Sequence, residues 1–135
     1  MVKFACDEWV TALQDAINSS AGYAEAAKTW EGDFYFIVEP RESGAKEQVM
    51  YFDLWHGRCR ESMLAADRSA KKPAFVISGS ASAWRKVIEK KLDPIQGMMT
   101  RQLKLQGDMV KIMKAVKAAK ELVECTTRVP TEFPA

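Results

Sequence analysis

The side chains that could do chemistry are few. The chain has one histidine, His56, and three cysteines, Cys6, Cys59 and Cys125. His56 stands before Gly57, and the pair reads as a tight reversal between two strands: His tolerates positive φ and Gly supplies it. A turn residue is a poor general base, and no other residue can serve as the His of a nucleophile–His–acid triad. Ser78-Gly79-Ser80 looks like part of a nucleophile elbow, but the nucleophile position of Gly-x-Ser-x-Gly would fall on Ala81. A strand end followed by a helix cap explains these serines. Gly-x-Gly-x-x-Gly and the Walker loop are absent. No His/Cys/Asp/Glu cluster has metal-ligand spacing, so neither a catalytic residue, a cofactor nor a metal is expected. The three cysteines are odd in number, widely spaced and without Cys-x-x-Cys, which reads as reduced thiols in a cytoplasmic compartment.

What remains is apolar. Hydrophobic residues make up 47% of the 135, and four of the seven methionines lie between positions 98 and 113. Methionine is flexible and polarisable, and suits a wall that must fit variable apolar ligands; as filler in a packed core it serves equally well. Twenty basic against eighteen acidic residues give a net charge of +2, too balanced for a dedicated nucleic-acid binder. The charge is unevenly spread. Residues 1–83 carry a net −3 and residues 84–125 a net +5, so the later segment could meet an anionic membrane or simply be a solvated lysine-rich face. No apolar run approaches the roughly 18 residues of a membrane span. Met1-Val2-Lys3-Phe4 opens into an acidic segment and is read as no secretory leader.

The elements that must position an apolar site follow from periodicity. Asp7 and Glu8 open a helix with Trp9, Leu13, Ala16 and Ile17 on one face. Ser19 or Ser20 caps a second, short helix over about Ala21–Lys28. Trp30-Glu31-Gly32-Asp33 reads as a turn. Strands are predicted at Phe34–Glu39, Gln48–Trp55, Arg58–Leu64 and Ala74–Ser78, the first two joined by the polar loop Arg41–Lys46. A helix follows with Trp84, Val87, Ile88 and Leu92 on one stripe, stopped by Asp93-Pro94. Ile95–Met99 reads as an apolar connector. Gln102–Gln106 alternates as a strand, and Gly107 ends it. Asp108 caps one last helix, with Met109, Ile112, Met113, Val116, Ala119 and Val123 on one face. A single α+β domain over residues 1–125, with an extended tail over 126–135, is the expected organisation.

From about Trp9 to Lys120 the chain resembles the sterol carrier protein type 2 family. The resemblance rests on Ile77-Ser78-Gly79-Ser80-Ala81-Ser82-Ala83-Trp84, on Leu92-Asp93-Pro94-Ile95-Gln96-Gly97-Met98-Met99, and on Gln102-Leu103-Lys104-Leu105-Gln106-Gly107-Asp108. Tyr51–Arg58 and Trp30-Glu31-Gly32 also fit. The chain departs from the pattern at Arg101, where the family often has Gly, at His56-Gly57 for the usual Asp-Gly, and at its last residues, which lack a peroxisomal tripeptide. The resemblance implies a twisted five-stranded, mostly antiparallel sheet with helices on one face around an apolar tunnel. The implied function is non-enzymatic binding, and transfer, of a fatty acyl chain, sterol or similar lipid. The alternative is a structural or dimerisation module that presents apolar substrates to a partner enzyme. The expected cavity lining is Phe36, Phe52, Phe75, Ile77, Met98, Met99, Leu103, Leu105, Ile112, Met113 and Val116, around a void of roughly 300 Å³ or more. The last helix is expected to act as a lid, with Lys111, Lys114 and Lys117 contacting an anionic membrane.

Overall fold

The computed structural model describes residues 1–41 and 44–133. The chain runs β1 (Val2–Lys3), α1 (Asp7–Asn18), α2 (Ala21–Ala26), β2 (Glu31–Glu39), β3 (Gln48–Trp55), β4 (Arg58–Ala65), β5 (Phe75–Ser80), α3 (Ala81–Ile88), α4 (Pro94–Met99), β6 (Leu103–Gln106), α5 (Met109–Met113), α6 (Val116–Thr127) and β7 (Thr131–Glu132). Of the predicted loop Arg41–Lys46, Glu42 and Ser43 lie outside the described residues, as do Pro134 and Ala135 of the predicted tail.

Five strands form one sheet in the order β4-β3-β2-β5-β6. All neighbours are antiparallel except β2 and β5, which the long excursion through β3 and β4 brings together in parallel. The hairpin β3–β4 turns on His56 and Gly57, both with positive φ (49° and 82°), as a two-residue turn of matching twist requires. A Cβ on Gly57 would lie 2.6 Å from the Ala24 carbonyl oxygen, so α2 can approach the hairpin only because residue 57 has no side chain.

Alternation fixes which side of the sheet is which. Phe34, Phe36 and Val38 of β2 share one face with Met50, Phe52 and Leu54 of β3, with Phe75 and Ile77 of β5, and with Leu103 of β6. The helices cover that face. Tyr35, Ile37, Val49 and Tyr51 are buried on the other, beneath residues 66–72. The Tyr35 hydroxyl accepts the Lys71 N–H at 2.7 Å and lies 3.0 Å from the carbonyl oxygens of Arg68 and Lys71. Helix α1 is fixed across β4 by a side-chain amide: Asn18 donates to the Cys59 carbonyl at 2.9 Å and accepts the Cys59 N–H at 2.8 Å.

The structure differs from the sequence reading in five places. The residues 30–33 read as a turn instead start β2 at Glu31; Gly32 pairs with Leu54, and a Cβ there would press on the Phe75 ring at 2.9 Å. The connector 95–99 is helical. Asp93-Pro94 does not stop the preceding helix, which ends at Ile88 with Lys90 beyond it at φ +62°, so Leu92 lies outside it. The pair instead starts the next helix: the Asp93 carboxylate accepts the N–H groups of Ile95 and Gln96, and Pro94 takes the first helical position. The last helix is two, because Ala115 leaves helical conformation (φ −106°, ψ 35°). Finally, α6 runs to Thr127, and the tail beyond it is no free segment. β7 pairs in parallel with β1, with Val2 N–H to the Pro130 carbonyl at 2.8 Å, and Trp9 donates to the Thr131 hydroxyl at 2.9 Å.

Candidate functional site

An apolar cavity of about 120 Å³ lies between the helix-covered face of the sheet and the helices. The sheet contributes Phe34, Phe36, Met50, Leu54, Ile77 and Leu103; α1 contributes Trp9 and Leu13; α3 contributes Trp84, Val87 and Ile88. Pro94 and Met98 of α4, Ile112 of α5, and Ala115, Ala118, Ala119 and Leu122 at and along α6 close it. The indole N–H groups and the Thr126 hydroxyl of the wall are turned into the protein. Trp84 donates its ring N–H to the Ile37 carbonyl at 2.9 Å, and Trp30 to the Gly32 carbonyl at 2.9 Å. The Thr126 hydroxyl bonds the Val123 carbonyl at 2.6 Å. Apart from Tyr23, the lining is hydrocarbon and aromatic surface, which can take up an apolar ligand without directional chemistry.

The space is smaller than the roughly 300 Å³ expected. The side chains around it have closed up: Trp30 stacks on Phe34, Phe34 on Phe75, and Phe36 meets Trp84 edge to face at 5.6 Å. A long ligand therefore enters only if part of the wall gives way. The wall from α6 is alanine-rich, and α5 has only five residues.

Five of the eleven lining residues expected from sequence stand on this wall: Phe36, Ile77, Met98, Leu103 and Ile112. Phe52 and Phe75 share the correct sheet face but are sealed in the core, and Leu105 packs half-buried against it. Met99, Met113 and Val116 point outward, 60%, 45% and 37% exposed. Met113 ends α5 beside the inward Ile112. Beyond the break at Ala115, α6 presents Ala115, Ala118, Ala119 and Leu122 to the cavity and leaves Val116 outward. Sequence reasoning missed Trp9, Leu13, Tyr23 and the α3 stripe as wall. Their helical periodicity was visible, but periodicity marks a buried face, not what that face meets.

Lys111 also departs from expectation. Its ammonium is held at the surface of the protein: it bonds the Glu31 carbonyl and lies over the rings of Trp30 (4.9 Å) and Phe75 (5.7 Å). Lys114 and Lys117 are exposed and have no acidic partner among the described residues.

His56 is half-exposed, its ring nitrogen 2.6 Å from a Glu31 carboxylate oxygen. Burial pushes the Cys59 thiol up to about 12, and the Cys125 thiol upward as well, so neither is a ready nucleophile. Among the described residues no three His, Cys, Asp or Glu side chains are grouped to hold a metal, and no helix is long and apolar enough to cross a membrane.

The SCP-2 sterol transfer family profile matches residues 10–120. The chain belongs to this family. Lipid binding or transfer is the family's general function, carried by a fold without catalytic residues. The crystal structure of a sterol carrier protein 2 is 29% identical and superimposes with a TM-score of 0.84, covering 94% of this chain and 99% of its own. A conserved protein from Thermus thermophilus, described with sterol carrier protein as its suggested identity, is also 29% identical, with a TM-score of 0.87 over 100% of this chain and 94% of its own. At 14% identity the ubiquinone synthesis protein UbiJ-SCP2 shares the fold alone, with a TM-score of 0.55 over 89% of this chain and 88% of its own. No curated protein matches the chain. The five-stranded, mostly antiparallel sheet with helices, expected from the sequence, is the fold of these SCP-2 neighbours.

Proposed function

We propose that this SCP-2 domain binds one apolar chain, an acyl chain, sterol or similar lipid, in the cavity between sheet and helices, and catalyses no reaction. The observation that supports this most is the wall itself, from which the indole N–H groups of Trp30 and Trp84 are turned away into backbone carbonyls. Each methylene buried there contributes about 0.8 kcal/mol, so affinity grows with chain length and selectivity among apolar tails is loose. Because three tryptophans line the wall, their fluorescence reports occupancy. Titration with methyl cis-parinarate, a fluorescent neutral fatty ester, should give saturable one-to-one binding with energy transfer from tryptophan. No binding from monomeric probe would overturn the proposal. Hydrolysis of an acyl thioester at a rate above background would overturn its non-enzymatic half.

Helices α5 and α6 are the lid in this reading, and the lid meets an anionic membrane. Of the six large hydrophobic side chains most exposed in the described chain, four are Met99, Val110, Met113 and Val116. Their sequence neighbours Met98, Ile112 and Ala115 line the cavity. Lys114 and Lys117 stand among them, and lysines near an anionic surface contribute about 1 kcal/mol each. Lys111 is the latch rather than a contact, since its bonds tie α5 to the start of β2. Charge reversal of Lys114 and Lys117 should slow transfer of a fluorescent lipid from anionic vesicles at low salt and leave neutral vesicles unaffected. Equal transfer from both vesicle types by the unaltered protein would remove the membrane from the account.

The same exposed apolar cluster favours a second reading, an accessory module that offers an apolar substrate to a partner enzyme or dimerises through this face. The fold shared with a ubiquinone synthesis protein is in line with it. A concentration-dependent dimer in sedimentation that Met113→Lys dissociates would favour this reading over membrane docking. The three unpaired cysteines, two of them buried, support a reducing compartment, the cytoplasm.

A further inference from the structure

The cavity wall holds one polar group that the protein leaves without a partner. Tyr23 of α2 lines the cavity and is 2% exposed. Its backbone N–H is taken up by the Ser20 hydroxyl at 3.0 Å, but its own hydroxyl makes no hydrogen bond among the described residues. Every other polar side chain of the wall, Trp9, Trp30, Trp84 and Thr126, has a partner. Buried tyrosine hydroxyls ordinarily find one. Among the described residues no polar side-chain atom is sealed off unpaired. The Tyr23 hydroxyl therefore borders open space, and the cavity is the space its side chain lines. Burial holds this phenol well above its ordinary range, so it is a neutral O–H donor throughout the physiological pH range.

Resting on the lipid-binding reading, we propose that the Tyr23 hydroxyl anchors the polar end of the ligand. The cavity then selects a chain carrying a neutral oxygen acceptor, a hydroxyl or an ester carbonyl, over a bare hydrocarbon. An ionised carboxylate is disfavoured. No lysine, arginine or histidine stands on the wall, and one phenol cannot offset the desolvation of a full charge. A hydrocarbon would leave the phenol unpaired at a cost that an alcohol avoids, while both bury the same tail. The ligand's polar end thus lies toward α2.

Tryptophan fluorescence titrations with 1-dodecanol, dodecane and dodecanoate at pH 8 test this in the full chain and in Tyr23→Phe. The unaltered protein should bind the alcohol about tenfold more tightly than the alkane, and the ionised acid no better than the alkane. Tyr23→Phe should bring alcohol and alkane to the same affinity, with the alkane unchanged. The ligand-free variant should be as stable to urea as the parent or more so, because it removes an unpaired hydroxyl. A merely structural tyrosine would instead lose stability and weaken all three ligands alike, and either result overturns the proposal. So does an alcohol preference that survives in Tyr23→Phe. If the unaltered protein binds none of the three, the lipid reading of the cavity falls and this one with it; equal binding of all three removes only the role of Tyr23.

Discussion

Replacing Ala118 by leucine separates stability from binding. Ala118 is buried on α6, on the wall of a cavity of about 120 Å³. Leucine is as good a helix former as the position needs, and it places three more carbons in the void. At about 0.8 kcal/mol per buried carbon, the gain is at most about 2.4 kcal/mol. A cavity coefficient of about 24 cal/mol per Å³ gives a ceiling of about 3 kcal/mol for filling the whole space. Lost rotamer freedom takes back about 0.5–1 kcal/mol, and imperfect fit takes more, so a net gain of about 1 kcal/mol is expected. For a domain of this size that raises Tm by about 3–5 °C. The assay pairs urea unfolding of the delipidated protein with methyl cis-parinarate titration of the same sample. Ala118→Leu should be more stable and should bind the probe at least tenfold more weakly. A stabilised variant that binds as before would show that ligand sits elsewhere. A destabilised one would show that the cavity is not the void described.

Other perturbations follow from single contacts. Arg101 holds φ at +63°, in the left-handed region that favours glycine, so Arg101→Gly should stabilise the protein by about 0.5–1 kcal/mol in urea unfolding. Gly57→Ala combines a φ of +82° with a Cβ placed 2.8 Å from the Ala24 Cα; a loss of about 2 kcal/mol or more is expected, and methyl cis-parinarate binding should weaken only as the fold does. His56→Asn should leave both stability and probe binding unchanged, since Asn-Gly suits the same turn. The Glu47 carboxyl is held below its usual 4.5 by the Arg68 guanidinium. Its contribution is thus fully present above pH 4.5 and lost as pH falls through its lowered folded value. Glu47→Gln should flatten that part of the acid-unfolding profile.

The strands were legible because aromatic and β-branched runs alternate, and because His56-Gly57 marks its hairpin. The side of the sheet chosen by aromatic content is the helix-covered one, as Phe36, Ile77 and Leu103 show. Helix α4 was hidden because Asp93-Pro94 can be read as the end of one helix or the cap of the next; α3 ends earlier, at Ile88, and the pair serves only as the cap. The break at Ala115 has no local signature, neither glycine nor proline, and beyond it Val116 stands outward while Ala118 and Leu122 line the cavity. The pairing of β1 with β7 joins segments about 130 residues apart and lies beyond any windowed periodicity. The lone polar group of the cavity was equally invisible: Tyr23 stood in the sequence as a residue of a short helix, and only the packing of α2 against the sheet and α6 gives its hydroxyl a role.

Native mass spectrometry of the protein purified from its own host, under conditions that keep non-covalent complexes intact, tests the central claim most directly. The account predicts one bound apolar molecule per chain, released on denaturation as a lipid with a hydroxyl or ester at one end. A chain that remains empty, even after incubation with vesicles of phospholipid, sterol and long-chain alcohol, would contradict it.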